Sequence, residues 1–570
     1  MKLSSRLFLF FAVLACSSLF PVVSVGADSY DYVVVGGGTA GCVVAARLSE
    51  NPSVNVLLLE SGHDNTDQGT DFTGTEPAIF PGYRFPDTQG PNIIPMRSRE
   101  SNPGSFTPNH YVPIPRTLGG GSSVNGQCYS RLSADDWAYF NVSGWSYADV
   151  LPFQKRVETY NPYDPSAMSS ARGTKGPVSV TTYAPGDLTS SLMASASSIL
   201  GLPQLSDLDA GNAHGVSQFG RNSKPGTNYT RESSWIAYLK PILDSRNNLD
   251  VITDSIVTSI AWKTRSMRGV KQIVYPLVAV GVYYTTNSLP GVTSQYVKVN
   301  EELILSAGVM NNPKLLMLSG IGPKDHLAAK GITLALASER VGQNLRDHMS
   351  LPTMVYLMKD AVVSDRVILG AFGSTGVQSS SLANFSDYEI ATVQVQNGIP
   401  LSATLVVSAV AAIPVLTRNS ARGTVQLLDS NPTSNQIINF NAFASPLDAQ
   451  ALAWLANATR AIFTQTPGFI AESSPGFAKI PLNSPLSAWS SWFASTAPYG
   501  GAKSYFHFVG TCSMGTSIDN GVIDSKLKLF GATNVRVADV SVLPKTTGQR
   551  PFATSMLIGE RVANFILTGQ

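Results

Sequence analysis

A glycine turn between two apolar runs constrains the fold of this chain more than any other feature. Residues 31–62 read DYVVVGGGTAGCVVAARLSENPSVNVLLLESG and place Gly36, Gly38 and Gly41 at G-x-G-x-x-G spacing. The apolar run before the glycines predicts a strand, the small residues after them predict a helix, and a second apolar run ends in Glu60. This order is typical of a βαβ unit that binds a dinucleotide.

Each residue type in this segment has a physical role. The first glycine permits the tight turn, the second lets backbone approach a pyrophosphate, and the third lets the helix pack closely on the strand. The helix N-terminus offers free N–H groups and a partial positive charge to the phosphates, and Glu60 can accept hydrogen bonds from a ribose diol. The strand, helix and acid around the glycines favour dinucleotide binding over a plain structural turn.

Length and composition limit the class of protein. The 570 residues can form two or more joined domains. A formal charge of +2 with only 14% charged residues indicates no nucleic-acid partner. Cys42, Cys128 and Cys512 remain beyond the apolar start, so at least one thiol is free, and no metal-ligand spacing occurs. We therefore expect neither a disulfide framework nor a metal site.

The first 27 residues resemble a secretory signal. Lys2 and Arg6 give a basic start, an almost wholly apolar stretch follows, and the small residues before and at Ala27 suit cleavage there. A membrane anchor is the alternative, but the apolar stretch is short for a span and a polar DSYDY follows. We therefore predict a secreted, extracellular protein with no membrane segment.

Two further observations accompany this prediction of export. Possible N-glycan acceptors occur at four N-x-[ST] triplets, namely Asn141, Asn228, Asn384 and Asn457. A nicotinamide cofactor must be recycled by diffusion, which is difficult outside a cell, whereas a flavin stays bound through every turnover. Export therefore favours a flavin in the dinucleotide site.

Five more motifs follow along the chain. They are PRTLGGGSSVNGQCYSR at 115–131, ELILSAGVMNNPKLLMLSGIGP at 302–323, RVGQNLRDHMS at 340–350, SYFHFVGTCSMG at 504–515 and NVRVADVSVLPKTTGQRPFATSMLIGERVANFI at 534–566. The first reads as a loop, because three consecutive glycines and two serines suit neither a helix interior nor a strand. The second predicts a strand, a turn and a short helix that begins near Pro313.

Together the six motifs resemble the glucose–methanol–choline (GMC) family of FAD oxidoreductases over nearly the whole mature chain. Both family signatures are present, at 115–129 and 308–322, although Asn312 stands where the family usually has Ser or Thr. Within the family the chain is similar to secreted, aryl-alcohol-oxidase-like or sugar-dehydrogenase-like members. The resemblance implies an FAD cofactor, a small-molecule substrate, and O2 or a quinone as electron acceptor.

The resemblance also implies which residues bind the cofactor. Gly36, Gly38, Thr39, Ala40 and Gly41 would hold the pyrophosphate and Glu60 the adenosine ribose. The other implied contacts are Thr117, Gly121, Asn125, Gly126, Gln127 and Cys128 along the isoalloxazine and ribityl part, Val257 at the adenine, and Ala538 and Asp539 at the phosphate-ribityl region. Val124 stands where some members attach FAD through a His, so we predict non-covalent FAD.

The catalytic prediction rests on His507, which matches the family's catalytic histidine. Oxidation of an alcohol removes a hydroxyl proton and passes a hydride to the flavin, and a neutral imidazole, with an ordinary pKa of about 6.5, can accept that proton. The other histidines are interpreted as surface or core residues, with His348 in a structural role near the flavin.

The family's second catalytic position holds His or Asn, and here it falls on Arg550. Arginine stays charged and cannot act as a base, but it can bind an alkoxide or a substrate carboxylate. A shift of one residue would instead present the amide of Gln549, and both alternatives stay open. Nearby Tyr505, Phe506, Phe508 and Phe552 form either an apolar gate for an aryl or allylic alcohol or part of the core.

The leading hypothesis is a secreted FAD-dependent oxidoreductase that converts a primary or secondary alcohol, aryl, allylic or sugar-like, to a carbonyl. Arg550 favours an alternative, a hydroxynitrile-lyase-like lyase or cyclase that keeps the flavin without net redox chemistry. A third possibility is a non-catalytic flavoprotein, against which His507 argues. Mixing with alcohols separates the three hypotheses. An oxidoreductase bleaches its flavin, a lyase or cyclase turns over with oxidised flavin, and a non-catalytic flavoprotein does neither.

We predict an α/β fold with a Rossmann-type FAD-binding domain assembled from discontinuous segments and an α+β substrate domain on an antiparallel sheet. The FAD-binding domain comprises residues 28–150, 250–345 and 505–570, and the substrate domain comprises 151–249 and 346–504. Strand-like runs at 176–182, 388–397, 401–416 and 423–428 are assigned to the substrate domain, and residues 63–110 to a long excursion over the site.

Overall fold

A computed structural model describes residues 28–64, 93–99, 111–211, 214–227, 230–267, 270–286, 294–359, 367–377, 386–402, 405–476, 479–493 and 503–570. These ranges do not include the predicted signal segment or its cleavage site near Ala27. They also leave out His110, most of the excursion at 63–110, and the triplets at Asn228 and Asn384. Within them, no helix is both long enough and apolar enough to cross a membrane.

The predicted α/β fold is confirmed, and its first sheet has seven strands. Five neighbouring strands in it are parallel, and all four residues of Val56–Leu59 are buried, as expected of a sheet covered on both faces. From edge to edge the strands are Leu249–Ile252, Val56–Leu59, Ser29–Val35, Gln295–Leu305, Ala279–Thr286 and Ser255–Trp262, and Val535–Val537 pairs with Gln295–Leu305.

The helix after the glycine turn packs between this sheet and the last helix of the chain. Thr39–Leu48 contacts Phe552–Leu567, and a Cβ added at Gly559 would lie 2.8 Å from the carbonyl oxygen of Ala40. This close approach brings the start of the last helix towards the glycine turn. The other α-helices are Gly121–Val124, Ala134–Phe140, Tyr147–Val157, Asp187–Leu200, Gly308–Leu318, Lys324–Ala329, Pro446–Gln465 and Leu486–Phe493.

A second, antiparallel sheet has eight strands. Its main path is Phe469–Ser474, Met354–Lys359, Leu405–Leu416, Tyr388–Ser402, Val367–Gly373 and Gly215–Ser217, and Met349–Ser350 joins Leu405–Leu416 to Lys503–Ser504. Residues 407–416 are buried, because the helix Pro446–Gln465 contacts this strand. Within the apolar run at 401–416, Leu405–Leu416 is therefore a strand of the core, whereas Leu401 and Ser402 end the neighbouring strand Tyr388–Ser402.

Two of the predicted strand-like runs belong to smaller sheets. Val178–Thr181 joins Cys128–Tyr129, Gly220–Asn222 and Glu158–Asn161, whereas Gly423–Gln426 pairs with Gln343–Leu345 and Ile437–Asn439. The remaining paired strands are Ile93–Arg97 with Tyr111–Pro115, Thr264–Met267 with Val270–Ile273, and Ile321–Gly322 with Leu336–Ala337. Apart from Leu249–Ile252, which starts one residue early, the strands of the seven-stranded sheet fall within the ranges predicted for the FAD-binding domain.

The helix predicted to begin near Pro313 begins earlier, at Gly308, so that prediction of its start is wrong. Pro313 lacks the N–H that would bond to the carbonyl of Val309 four residues before it. The hydroxyl of Thr511 donates to that carbonyl instead, at 2.6 Å, and a partner from elsewhere in the chain lets the proline stand inside the helix.

The loop prediction for 115–131 is also partly wrong, because Gly121–Val124 forms one helical turn. Gly119 and Gly120 precede it with positive φ angles of 81° and 50°, a conformation that favours glycine. The three described cysteines are all free and buried, so disulfides do not stabilise the described fold.

Candidate functional site

The glycine turn forms the floor of the site, and its three glycines have three different environments. Gly36 has a φ of +100°, and Gly41 lies so close to the turn that an added Cβ would fall 1.9 Å from the carbonyl oxygen of Gly36. An added Cβ at Gly38 would meet nothing nearer than 3.8 Å. The first residue therefore makes the turn, Gly41 allows the helix to pack, and Gly38 leaves open space for a ligand.

The carboxylate of Glu60 fixes the loops beside this floor. It accepts hydrogen bonds from the backbone N–H groups of Gly37 at 2.7 Å and Gly62 at 2.8 Å, and one from the hydroxyl of Ser61 at 3.1 Å. Burial raises the pKa of Glu60 against the lowering effect of these bonds. Its side chain also lines the cavity described next.

One cavity of about 680 Å³ joins the glycine turn to the aromatic and histidine residues of the C-terminal motifs. Fourteen of the residues singled out from sequence line it: Gly36, Gly38, Thr39, Ala40, Glu60, Thr117, Gly121, Asn125, Gly126, Cys128, Val257, His507, Asp539 and Arg550. Tyr505, Phe506, Phe508 and Phe552 line it as well. The structure therefore places these aromatic residues on the cavity.

Four residues singled out from sequence do not line the cavity. Gly41 is used in packing, and Gln127 turns through a positive φ of 61° with its N–H donated to Asn125 Oδ1. Ala538 is fully buried beside the central sheet, where its N–H bonds to the Leu305 carbonyl.

The fourth is Gln549, which is 1% exposed and makes no side-chain hydrogen bond to the described residues. Of the two alternatives at this position, Arg550 is the side chain that reaches the cavity.

The residues present fit an FAD. The open face of Gly38 and the start of the following helix suit a pyrophosphate, and Val257 lines the same cavity from the strand Ser255–Trp262. The cavity volume lies in the range of about 300–1,000 Å³ that is usual for small-molecule sites. Val124 lines the cavity without offering a side chain that could form a covalent bond.

The side-chain contacts of Asn312 show what an amide does at the position where the family signature usually has Ser or Thr. Its Oδ1 accepts from the N–H of Ala307 at 2.9 Å, and its Nδ2 donates to Asp539 Oδ2 at 2.7 Å and to Ser541 Oγ at 3.1 Å. Asp539 also accepts from the N–H of Gly308 at 2.8 Å, and burial raises its pKa. An amide, which both accepts and donates, thus joins the turn before the helix to a carboxylate on the cavity wall.

His507 belongs to a chain of hydrogen bonds that fixes its tautomer. His348 Nε2 lies 2.8 Å from the carbonyl oxygen of Thr547, and His348 Nδ1 lies 2.9 Å from His507 Nδ1. Because a carbonyl can only accept, His348 carries its proton on Nε2 and accepts at Nδ1. His507 then donates from Nδ1 and keeps the lone pair on Nε2, which has no partner among the described residues.

The surroundings keep both imidazoles neutral. Burial lowers the pKa of His348 to about 3. Burial, and after it the nearby His348 and Arg550, lowers the pKa of His507 well below its ordinary value. A neutral imidazole with a free Nε2 on the cavity is chemically able to accept a proton.

Asp347 holds the backbone of His507, a role that the sequence did not indicate. Its Oδ1 accepts from the N–H of His507 at 2.8 Å, and its Oδ2 accepts from the hydroxyl of Ser504. Burial raises the pKa of Asp347 to about 7. Pairing of Met349–Ser350 with Lys503–Ser504 brings the two segments together, and no local pattern in either segment predicts that contact.

Arg550 is held by a buried ion pair. Its Nε lies 3.0 Å from Glu389 Oε1, its Nη2 also bonds to that oxygen, and Nη2 donates to the hydroxyl of Tyr505 at 3.1 Å. The guanidinium carbon lies 4.4 Å from the centroid of the Phe219 ring, within range of a cation–π contact. Glu389, whose side chain has no exposed area, was not singled out from sequence.

Comparison with known proteins agrees with this geometry. Residues 30–350 and 419–559 match the two family models described as GMC oxidoreductase. The chain is 28% identical to an oxygen-dependent choline dehydrogenase of Proteus mirabilis over 577 residues, which cover 94% of this chain and 95% of that protein.

Solved structures show the same fold. A pyridoxine 4-oxidase from Mesorbium loti superposes with a TM-score of 0.76 at 24% identity, covering 95% of this chain and 99% of that one. A formate oxidase superposes with a TM-score of 0.78 at 23% identity, covering 95% and 98%.

Proposed function

We propose, on the premise that this chain belongs to the GMC oxidoreductase family and is an FAD-dependent enzyme acting on CH–OH donors, that His507 is the base in the oxidation of an alcohol to a carbonyl. The observation that carries the proposal is the hydrogen-bond chain from Thr547 through His348, which leaves His507 neutral with its Nε2 lone pair free. A group in this state can remove a hydroxyl proton without first losing one of its own.

Bound FAD supplies the acceptor for a hydride, and the protein supplies position, base and charge. Gly38, Thr39 and the start of their helix would hold the pyrophosphate, with Glu60 beside the ribose. His507 Nε2 takes the hydroxyl proton, and His348 keeps the ring oriented while that proton is held. The guanidinium of Arg550 offers a positive charge, and an Nη1 that no described residue engages, to an anionic oxygen of the substrate.

The cavity wall supports a substrate with an apolar or aromatic part. Tyr505, Phe506, Phe508 and Phe552 line the same cavity as His507, which favours an aryl or allylic alcohol over a sugar-like one. The relatives described above are named for choline, pyridoxine and formate, so the fold accepts substrates of different chemistry.

The proposal also covers the attachment of FAD, the electron acceptor, the export of the protein and its glycosylation. FAD is non-covalent, since Val124 offers no nucleophile, and O2 or a quinone takes the electrons. The protein is secreted after cleavage near Ala27. N-glycans are attached at accessible triplets such as Asn141, which is exposed at the end of the helix Ala134–Phe140.

Anaerobic mixing of the purified holoenzyme with aryl, aliphatic, sugar and hydroxy-acid alcohols tests the proposal. We expect at least one alcohol to bleach the oxidised flavin and to yield one carbonyl per flavin. Product formation while the flavin stays yellow would instead identify the lyase or cyclase that Arg550 also permits. Neither bleaching nor product across the panel would contradict an enzymatic role for this site.

A further inference from the structure

Two hydrogen-bond donors at the His507 end of the cavity have no acceptor among the described residues. Arg550 uses Nε and Nη2 for Glu389, and Nη2 also for Tyr505, so its Nη1 makes no hydrogen bond to the described part of the chain. A guanidinium can only donate, so the Tyr505 oxygen is the acceptor in that contact. The Tyr505 hydroxyl hydrogen is therefore also left to donate.

Both donors face the cavity and both remain donors near neutral pH. Arg550 and Tyr505 line it, and burial raises the pKa of the Tyr505 hydroxyl above its ordinary value, so the group stays protonated. Burial lowers the pKa of Arg550, but the charges of Cys128, Glu389 and Tyr505 and the hydrogen bond to Glu389 raise it well above its ordinary value. Adjacent donors of this kind, one of them charged, match a carboxylate.

The charges around the two donors are arranged for an anion. Glu389 balances Arg550 from behind, but its side chain is fully buried and does not line the cavity. The carboxylates that do line it among the described residues are Glu60 and Asp539, and both accept backbone N–H groups at the glycine-turn end. A neutral alcohol would leave the donors of Arg550 and Tyr505 without an acceptor.

The base lies beside these donors. The ring centroids of Tyr505 and His507 are 4.8 Å apart. A substrate that contacts both groups therefore has its carboxylate close to the carbon that bears the hydroxyl. We infer that the substrate is a 2-hydroxy acid, whose carboxylate is bound by Arg550 Nη1 and the Tyr505 hydroxyl while its 2-hydroxyl faces His507 Nε2.

This inference rests on the proposed function and specifies its substrate. The O–H bond breaks and its proton passes to His507 Nε2. The C2–H bond breaks, and its hydrogen leaves with the electron pair to FAD, which is reduced by two electrons. The C=O bond forms, the carboxylate is unchanged, and the product is a 2-oxo acid.

Equilibrium binding tests the carboxylate site without turnover. The probe is 2-hydroxy-2-methylpropanoate, which has no hydrogen on C2 and cannot be oxidised, and its amide is the neutral control. Titration into oxidised holoenzyme is followed by the flavin absorbance. We expect the acid to bind about tenfold more tightly than the amide, as a charge-assisted pair should.

Variants assign that preference to the two donors. Arg550→Met alone would leave Glu389 as a buried, unpaired carboxylate, so the informative variant is the double substitution Arg550→Met with Glu389→Gln. We expect it to remove the preference and Tyr505→Phe to reduce it, whereas Arg340→Gln, at an exposed site outside the cavity, preserves it. Equal binding of acid and amide by the natural protein, or a preference that survives the double variant, would overturn the inference.

Turnover separates this inference from the proposed function. Bleaching by mandelate or lactate with a KM that rises in the double variant supports the inference. Bleaching by benzyl alcohol with no preference for acids overturns it and leaves the proposed function standing. Tight binding of the acid probe without bleaching by any alcohol contradicts the proposed function but not the carboxylate site. Formate has no hydroxyl group, so its oxidation needs no base. If formate alone bleached the flavin, and still did so in His507→Ala, the assignment to 2-hydroxy acids would be overturned.

Discussion

His348 and His507 face each other through their Nδ1 atoms, 2.9 Å apart, at nearly perpendicular ring planes of 86°. The carbonyl of Thr547 fixes the proton of His348 on Nε2, so the contact forces His507 to donate from Nδ1. The ring that contacts the cavity is thus held in the tautomer that can act as a base. His348, predicted only as a structural residue, is a positioning residue for His507.

Replacing His348 with Phe should slow flavin reduction while FAD stays bound. The change removes the acceptor for His507 Nδ1, and loss of a tautomer-fixing partner costs orders of magnitude in other enzymes, so we expect a fall on the order of 10² in the rate of bleaching. Rapid mixing under anaerobic conditions measures this rate. His326→Gln, at a half-buried histidine outside the cavity, should leave it unchanged. An unaltered rate in His348→Phe would remove the positioning role.

The pH profile of bleaching should lack the acid limb that an ordinary histidine would give near pH 6.5. Burial, His348 and Arg550 lower the pKa of His507, so the base stays unprotonated as the pH falls through 6.5. Activity should decline only at distinctly lower pH.

The double variant Arg550→Met with Glu389→Gln removes a positive neighbour of His507. The pKa of His507 should then rise, and the acid limb of kcat/KM should move towards neutral pH. Rate measurements between pH 4 and 9 on both proteins check the direction of this shift. A limb at pH 6.5 in the natural protein, or a shift to lower pH in the variant, would contradict this electrostatic account of His507.

Alanine at Gly38 and at Gly41 should have different effects. At Gly41 the new Cβ would fall 1.9 Å from a backbone oxygen, so we expect a loss of about 1–3 kcal/mol or more in the free energy of unfolding of the apoprotein. At Gly38 the Cβ has no neighbour within 3.8 Å, so stability should be kept and the affinity for FAD should fall by about tenfold. Apoprotein melting and FAD titration measure the two effects, and the reverse pattern would show that the roles of the two glycines are misassigned.

Replacing Asn312 with Ala should destabilise the fold. The change leaves the N–H of Ala307 without its acceptor and removes one of the hydrogen bonds that the carboxylate of Asp539 accepts. An unsatisfied buried group costs about 1–3 kcal/mol. Asn564→Ala, on the last helix, is the control, because no hydrogen bond of its side chain to the described residues is present. Denaturant unfolding compares the variants, and equal stability of Asn312→Ala and the natural protein would contradict the account of this amide.

The parts of the site that could be predicted from sequence are those built from local geometry. The roles of Gly36, Gly38 and Gly41 follow from their spacing in the sequence. A tight turn, a close approach of the backbone to a pyrophosphate, and a helix–strand packing contact each require a small residue at a fixed position in the motif. The ion pair of Glu389 with Arg550 joins residues 161 positions apart. No local pattern marks Glu389 as the partner, because it lies on a strand of the antiparallel sheet.

The errors also have physical causes. Pro313 ordinarily interrupts a helix, but the Thr511 hydroxyl satisfies the carbonyl that the proline leaves free. The choice between Gln549 and Arg550 was left open, because it depends on the rotation of the chain before the last helix. In the structure Arg550 lines the cavity and packs against Glu389, Tyr505 and Phe219, contacts that no local pattern predicts.

The most direct test of the account is the rate of anaerobic flavin bleaching in His507→Ala, measured with the best alcohol of the panel and with FAD content taken from the absorbance of the purified variant. We predict full FAD occupancy and a rate lower by about 10²–10⁴, the usual contribution of a general base. Full occupancy with an unchanged rate would contradict the claim that His507 takes the hydroxyl proton.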